Sequence, residues 1–268
     1  MKNKFFELSV FSSQNEILKN FAFELGVEAV EEVEGGFVVR DEDDLSALEF
    51  GLKELASRLN IDIRTCMQIK DNIDWIEKYK KSVQPIKVGK FYVRPSWEEK
   101  GEGLDIIVDP ALAFGSGHHE STNSCLTLIS SHVDSNLKTA LDVGCGSGIL
   151  SIALAKLGLK VDACDTDEQA TDATAANAAK NDVKLNQIWT GSVNGAGDKT
   201  YDVVVANIIA DIILMLAPDL VSKVAPGGYL VISGILDKYK SRVLDAFSNL
   251  KLVENISKNE WESFIFKK

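Results

Sequence analysis

The stretch TALDVGCGSGIL, residues 139–150, joins a predicted strand to a predicted helix through three closely spaced glycines. Gly144, Gly146 and Gly148 let the backbone turn sharply and approach a ligand closely. From Asp105 onward, strands and helices alternate, which predicts a parallel α/β sheet. The last two strand candidates, LKLVENIS and WESFIFKK, have no helix between them, so we expect them to pair antiparallel at one edge.

The spacing of the glycines limits the class of ligand. In a dinucleotide fingerprint the third glycine comes one residue later, where this chain has Ile149. No Lys-Ser/Thr pair follows, which excludes a P-loop. Asp165 ends the next predicted strand, 21 residues after Gly144, where a carboxylate can accept both hydroxyls of a ribose. With Asp142 before the turn, this favours a nucleoside without a phosphate, although Asp142 could instead cap a helix and Asp165 could begin a turn.

Residues 1–65 show a different pattern, with two amphipathic helix candidates among short strand candidates. The order β-α-β-β-α-β matches the ferredoxin-like split βαβ arrangement of a small α+β domain. This part has no catalytic pattern, so substrate recognition is its expected role, with a purely structural role as the alternative. We interpret residues 66–100 as a linker and residues 101–268 as the large α/β domain.

The chain is acidic, with a formal net charge of −11. Such a surface repels nucleic acid and anionic membranes and suits a basic partner, although acidity can also serve solubility alone. No apolar run reaches the roughly 18 residues that span a bilayer, and the N-terminus has no secretion-signal pattern. The four cysteines have no paired spacing and are typical of reduced thiols. We therefore expect a cytoplasmic monomer that contacts neither nucleic acid nor membrane directly.

Two adjacent histidines in DPALAFGSGHHESTNSC, residues 109–125, raise the question of a metal site. Such a site needs at least three well-placed ligands. The neighbours His118 and His119 would point apart on a strand or helix, and the only other histidine is His132. Because no H-E-x-x-H spacing exists either, we predict no bound metal and interpret His119 as a hydrogen-bonding loop residue.

The glycine turn and Asp165 resemble those of the class I S-adenosylmethionine-dependent methyltransferases. The predicted strand ending in VVVANII adds to the resemblance, because many amine and amide methyltransferases have Asn-Pro-Pro-Tyr at that place. Asn207 matches the first position, whereas Ile208 and Ile209 replace the prolines. In that class the glycine turn cradles the methionine part of S-adenosylmethionine and the acidic residue holds its ribose, so the resemblance implies both contacts here.

Nearly the whole large domain is also similar to the ribosomal protein L11 methyltransferase family. The similarity rests on DPALAFGSGHHEST before LDVGCGSGILSIALAKLG, and on VVVANI, SGIL and NEWESFIF. The family's usual loop reads Asp-Pro-Gly-Leu-Ala-Phe-Gly-Thr-Gly-Thr-His-Pro-Thr-Thr. This chain keeps Phe114, Gly115, Gly117, His119 and Thr122. It departs from the loop at Ala111, Ser116, His118, Glu120 and Ser121.

The resemblance implies a seven-stranded, Rossmann-like methyltransferase domain. It also implies that methyl groups pass from S-adenosylmethionine to amines of ribosomal protein L11, on lysine side chains and at the N-terminus. We predict Asn207 as the catalytic residue, with its side-chain oxygen and the Ile208 carbonyl accepting hydrogen bonds from the acceptor amine. The loop would fold over the cofactor and place Phe114 and Thr122 near its sulfonium end. The predicted cofactor contacts are Phe114, Gly115, Thr122, Asp142, Gly144, Gly146, Asp165 and Asn207.

Three alternative functions stay open at this point. The chain could be a class I methyltransferase acting on another protein or on a small molecule, although the missing Pro-Pro-Tyr argues against glutamine and nucleobase acceptors. It could be a nicotinamide-dependent oxidoreductase, against which Ile149 argues. It could also be a binding module without activity. This is the weakest of the three alternatives, because the chain has Asn207, Asp165 and the glycine turn.

Overall fold

The computed structural model describes residues 4–27, 29–71, 83–109 and 119–268. The chain divides into two compact units, Met1–Ser82 and Val83–Lys268. The described part of the predicted linker is divided between the two units. Residues 66–71 are the last part of a strand in the first unit, whereas residues 83–100 belong to the second unit. The functional roles assigned to the ranges 1–65, 66–100 and 101–268 stay predictions.

The first unit contains a four-stranded antiparallel sheet and two helices. Its elements are β1 Lys4–Phe11, α1 Asn15–Glu24, β2 Glu31–Val33, β3 Gly36–Asp41, α2 Ser46–Leu59 and β4 Arg64–Asp71. The strand order is β2-β3-β1-β4. Leu8 and Val10 alternate along β1 and pack with Leu18 of α1 and Leu52 of α2 in one core, since every second strand residue faces the same side. This confirms the predicted ferredoxin-like arrangement.

The second unit alternates strands and helices around a large sheet. Its elements in the first half are β5 Ile86–Val88, β6 Phe91–Arg94, β7 Leu104–Ile107, α3 Glu120–His132, β8 Thr139–Val143, α4 Ile149–Lys156, β9 Lys160–Asp165 and α5 Glu168–Lys180. The second half continues with β10 Gln187–Thr190, β11 Tyr201–Asn207, α6 Ala210–Lys223, β12 Val224–Leu236, α7 Lys240–Ala246, β13 Lys251–Lys258 and β14 Trp261–Lys267. Short 3-10 turns at Val193–Ala196 and Asp237–Tyr239 follow β10 and β12.

The large sheet has the predicted seven strands, in the order β10-β9-β8-β11-β12-β14-β13. The first five run parallel, and β14 pairs antiparallel with both β12 and β13. The prediction that the last two strands pair antiparallel at one edge is therefore confirmed. The strands β5, β6 and β7 form a separate three-stranded sheet of the same unit. Within the described ranges, no helix combines the length and the apolarity that crossing a membrane requires.

The strand β11 packs against an apolar core on each face of the large sheet. In β11, Val203 and Val205 belong to one apolar core, whereas Val204 and Ala206 belong to the other. A strand buried on both faces reads as a continuous apolar run, which explains the sequence VVVA. The next residue, Asn207, is the first polar one and lies at the carboxyl edge of the sheet. Ligands of parallel α/β sheets bind at this edge.

Candidate functional site

A cavity of about 540 Å³ opens at the carboxyl edge of the large sheet. The turns that follow β8, β9, β10 and β11 form much of its wall, and β12 contributes a glycine near its end. Of the predicted site residues that the structure describes, four line the cavity: Gly144, Gly146, Asp165 and Asn207. Residues as far apart in the sequence as Gly144 and Asn207 therefore meet in one place.

The glycine turn after β8 depends on left-handed backbone conformations. Gly144, Gly146 and Gly148 have φ values of +76°, +52° and +79°. The amides of Gly144 and Cys145 both donate to the Cys164 carbonyl of β9, at 2.8 and 3.0 Å. A Cβ at Gly148 would lie 2.9 Å from the Thr174 hydroxyl oxygen on α5. Glycine is required here because the turn packs tightly between two neighbouring elements.

Asp165 connects this turn to the turn after β9. Its Oδ2 accepts a hydrogen bond from the Gly146 amide at 3.0 Å, and its Oδ1 accepts one from the Asp167 amide at 3.1 Å. The carboxylate lines the cavity beside the glycine turn. Each carboxylate oxygen can accept more than one hydrogen bond, so acceptor capacity is left for a ligand.

Asn207 is held by a partner on α3. Its Nδ2 donates to the Thr122 hydroxyl at 3.1 Å, and Thr122 is fully buried. The Asn207 Oδ1 is also buried, and it has no hydrogen-bond partner among the described residues. A buried carbonyl oxygen without a donor is costly, so native proteins keep such atoms mainly where they serve a function. Thr122 itself does not line the cavity but fixes the side chain that does.

Two glycines lie close to Ile208, the residue after Asn207: Gly144 approaches its side chain and Gly234 its backbone. A Cβ at Gly144 would overlap Cγ2 of Ile208, and a Cβ at Gly234 would lie 2.5 Å from the Ile208 carbonyl oxygen. Gly234 has φ +82° and sits where the pairing of β12 with β14 shifts register. Gly234 was not among the site residues predicted from the sequence. The signal for it was present, because an isolated glycine inside a strand indicates a bulge or a close backbone approach.

Asp142 is a described member of the predicted set that does not line the cavity. It is fully buried, and its Oδ2 accepts a hydrogen bond from the Ser151 hydroxyl of α4 at 2.6 Å. Its Oδ1 has no partner among the described residues. Burial, together with the nearby charge of Asp165, raises the pKa of Asp142 to about 6. The described contacts join β8 to α4, and the predicted contact of Asp142 with the cofactor stays a prediction.

The raised pKa of Asp142 gives a testable pH dependence of stability. An aspartate in the unfolded chain titrates near 3.8, so the folded protein holds this proton more tightly. The contribution to stability is complete below about pH 4 and is lost as the pH rises through about 6. We expect Asp142→Asn to gain up to about 3 kcal/mol relative to the parent over this range. Denaturant unfolding of both proteins between about pH 4 and pH 7.5 measures the difference, and a constant difference would contradict the prediction.

His119 and Trp261 form the side of the cavity next to α3. As predicted, His119 is a hydrogen-bonding residue: it is the N-cap of α3, and its Nδ1 lies 2.8 Å from the Ser121 hydroxyl. Its ring meets that of Trp261 edge to face, with centroids 4.8 Å apart. The structure describes no group of three potential metal ligands in the ranges that it covers. The predicted contacts Phe114 and Gly115 lie outside the described residues.

Known proteins agree with this geometry. A family model described as ribosomal protein L11 methyltransferase (PrmA) matches residues 12–268. A ribosomal protein L11 methyltransferase of Campylobacter fetus is 63% identical over all of this chain and 98% of its own length. One of Campylobacter jejuni subsp. jejuni is 42% identical, again over all of this chain and 98% of its own.

Solved structures extend the comparison to the fold. The crystal structure of a ribosomal protein L11 methylase from Lactobacillus delbrueckii subsp. bulgaricus is 30% identical and has a TM-score of 0.63, covering 68% of this chain and 97% of its own. A methyltransferase from Pyrococcus furiosus, 18% identical with a TM-score of 0.52 over 74% of this chain and 98% of its own, shares the fold. The predicted resemblance is confirmed, and the chain belongs to the ribosomal protein L11 methyltransferase family.

Proposed function

We propose that this protein transfers methyl groups from S-adenosylmethionine to amine nitrogens of ribosomal protein L11, both lysine side chains and the terminal α-amine. Family membership supports the reaction class and the protein substrate. One structural observation carries the assignment of amine chemistry. The buried Asn207 Oδ1 has no donor among the described residues, and Asn207 lines a cavity that the glycine turn and Asp165 also line.

The residues present fit S-adenosylmethionine. Gly144 and Gly146, which line the cavity, have no side chains that would keep a ligand from the backbone, and the Asp165 carboxylate would accept hydrogen bonds from a ribose diol. The cavity volume is within the range of about 300–1,000 Å³ that small-molecule sites have. When bound, this cofactor supplies an electrophilic methyl group on a sulfonium.

The chain's own residues would prepare and align the acceptor amine. A free lysine has a pKa of about 10.4 and is cationic at neutral pH, so the site must favour the neutral form. The apolar walls at Ile208, Ile212 and Leu216 disfavour an ammonium ion through desolvation. Asn207 Oδ1 and the Ile208 carbonyl would accept the two amine hydrogens and aim the lone pair at the methyl group. Alignment at about 3–3.5 Å then supplies most of the acceleration.

We propose a monomer that acts in the cytoplasm and contacts neither nucleic acid nor membrane directly. The net charge of −11 supports this, since such a surface repels both polyanions and attracts a cationic acceptor.

The test is incubation of the purified protein with isotopically labelled S-adenosylmethionine and recombinant ribosomal protein L11, followed by peptide mass analysis. We expect label on lysine side chains and on the terminal amine. L11 whose amines have been acetylated is the matched control and should take up no label. Binding of the cofactor without transfer to L11 would overturn the assignment of the acceptor, and absence of cofactor binding would overturn the reaction class.

The close approach of Gly234 to Ile208 predicts a loss of turnover in Gly234→Ala. The added methyl group would push the Ile208 carbonyl out of place, and a displacement of about 1 Å can reduce turnover about 100-fold. Gly227→Ala is the matched control, because Gly227 also has a positive φ of +80° in β12 but has nothing within 4 Å of the added atom. Both variants carry backbone strain, so equal turnover in the two would show that the contact with Ile208 has no role. Steady-state kinetics with L11 gives the comparison.

A further inference from the structure

Three large apolar side chains are exposed at the mouth of the cavity. Ile209, Ile212 and Met215 have exposed fractions of 64%, 37% and 66%, and all three line the cavity. We call these three residues the apolar rim. Scattered exposed apolar residues are ordinary, but a contiguous patch beside a pocket is typical of an interaction surface.

The local structure of α6 indicates that the apolar rim is not explained by folding. Ile209 is the N-cap of the helix, and it makes no side-chain capping bond. Ser, Thr, Asp or Asn is favoured at this position and would stabilise the helix. The buried face of α6, with Ile213, Ala217 and Leu220, already packs on the sheet. The chain therefore keeps apolar side chains exposed where polar ones would suit both the helix and the solvent, which is typical of functional positions.

The position of the apolar rim separates it from Asp165, the proposed ribose contact. Asp165 ends β9, whereas the rim follows β11, and β8 lies between these two strands. Neighbouring strands are about 4.8 Å apart, so about 10 Å separates the two strand ends. The acceptor groups, Asn207 Oδ1 and the Ile208 carbonyl, directly precede the rim along the chain. The rim thus begins at the acceptor position and leads outward from the cavity.

From this placement we infer that the apolar rim is the docking surface for the polypeptide segment that carries the acceptor amine. The inference rests on the proposed function. The aliphatic stem of a lysine would pass along Ile209 and Ile212 while its nitrogen reaches Asn207, because lysine side chains bury their methylenes against apolar surface. An apolar residue next to the acceptor in the substrate would pack on Met215. The flexible thioether adapts to different shapes, which suits an enzyme that methylates more than one position.

The test compares glutamate substitutions inside and outside the apolar rim. We expect Ile212→Glu and Met215→Glu each to raise the KM for recombinant L11 at least about tenfold, because docking would bury an unpaired carboxylate in an apolar contact. The Kd for S-adenosylmethionine should stay within about twofold of the parent. Leu252→Glu is the matched control, with an exposed fraction of 42% and a position opposite Phe266, at the other end of the sheet.

Each outcome decides the inference. A KM for L11 within about twofold of the parent in both rim variants would overturn the inference. An increase in KM in Leu252→Glu as large as in the rim variants would overturn it as well. A parallel rise in the Kd for S-adenosylmethionine would assign the rim to the cofactor instead. If the parent protein binds S-adenosylmethionine but does not methylate L11, the proposed function fails and this inference fails with it, and that result is visible before any variant is made.

Discussion

Asn207→Ala is expected to lower turnover at saturating L11 by about 100-fold or more, while the Kd for S-adenosylmethionine changes by no more than about threefold. The reason is the role proposed for Asn207 Oδ1, a buried atom without a hydrogen-bond partner among the described residues, as the acceptor for the amine. In the proposed mechanism the loss of this acceptor leaves the amine unaligned, and alignment is the main contribution that the chain makes. Single-turnover kinetics and a cofactor titration on the same preparation measure both quantities. An equal change in both would make Asn207 a cofactor ligand only.

Thr122→Val is the matched variant for this experiment. Thr122 accepts the hydrogen bond from Asn207 Nδ2, so the substitution keeps the amide but removes its anchor. We expect a loss of turnover of about tenfold, which corresponds to the roughly 1.4 kcal/mol of one lost hydrogen bond. In the double variant the effects should not add, because Thr122 acts through Asn207. Additive losses would show that Thr122 has a separate role.

The meeting of Gly144, Asp165 and Asn207 could be predicted from the sequence, because parallel strands end at a common edge. A buried strand was recognisable from its apolar run, and the first polar or glycine residue after it marked that edge. The same reasoning did not reveal the orientation of Asp142. Side chains alternate along a strand, and Leu141 and Val143 face one core while Asp142 contacts α4. The position of Asp142 before the turn predicted that it lies at the edge of the sheet. It did not predict on which face of the sheet the side chain lies.

Contacts between distant segments could not be predicted from the sequence. Thr122 and Asn207 are 85 residues apart, and nothing in either segment indicates that they share a hydrogen bond. The role of Gly234 depends on how closely β12 approaches the turn after β11, which is a property of packing. In the first unit two amphipathic helix candidates and the order of the short strand candidates were sufficient to predict the ferredoxin-like arrangement. It contains no residue pattern for recognition, so its role with the substrate stays a prediction.

Asp165→Ala is expected to raise the Kd for S-adenosylmethionine at least about 30-fold. Hydrogen bonds to a charged group contribute about 1.5–3 kcal/mol each, and about 1.4 kcal/mol changes an affinity tenfold. Two ribose hydroxyls would donate to this carboxylate in the proposed complex. The substitution also frees the Gly146 amide that Asp165 now holds at 3.0 Å, so the glycine turn loses an anchor on the cavity side. Calorimetric titration with S-adenosylmethionine and with S-adenosylhomocysteine measures the loss, which should be similar for both.

Asp167→Ala separates the ribose contact from a general effect of charge or of the turn. Asp167 is only two residues away, is the N-cap of α5 and accepts a hydrogen bond from the Gln169 amide at 2.9 Å. It does not line the cavity, so its loss should weaken the helix by about 1 kcal/mol and leave the Kd within about twofold. Equal affinities in the two variants would remove Asp165 from the proposed cofactor site. The glycine turn alone would then have to select the ligand, and three glycines without a carboxylate cannot distinguish a nucleoside from other small molecules.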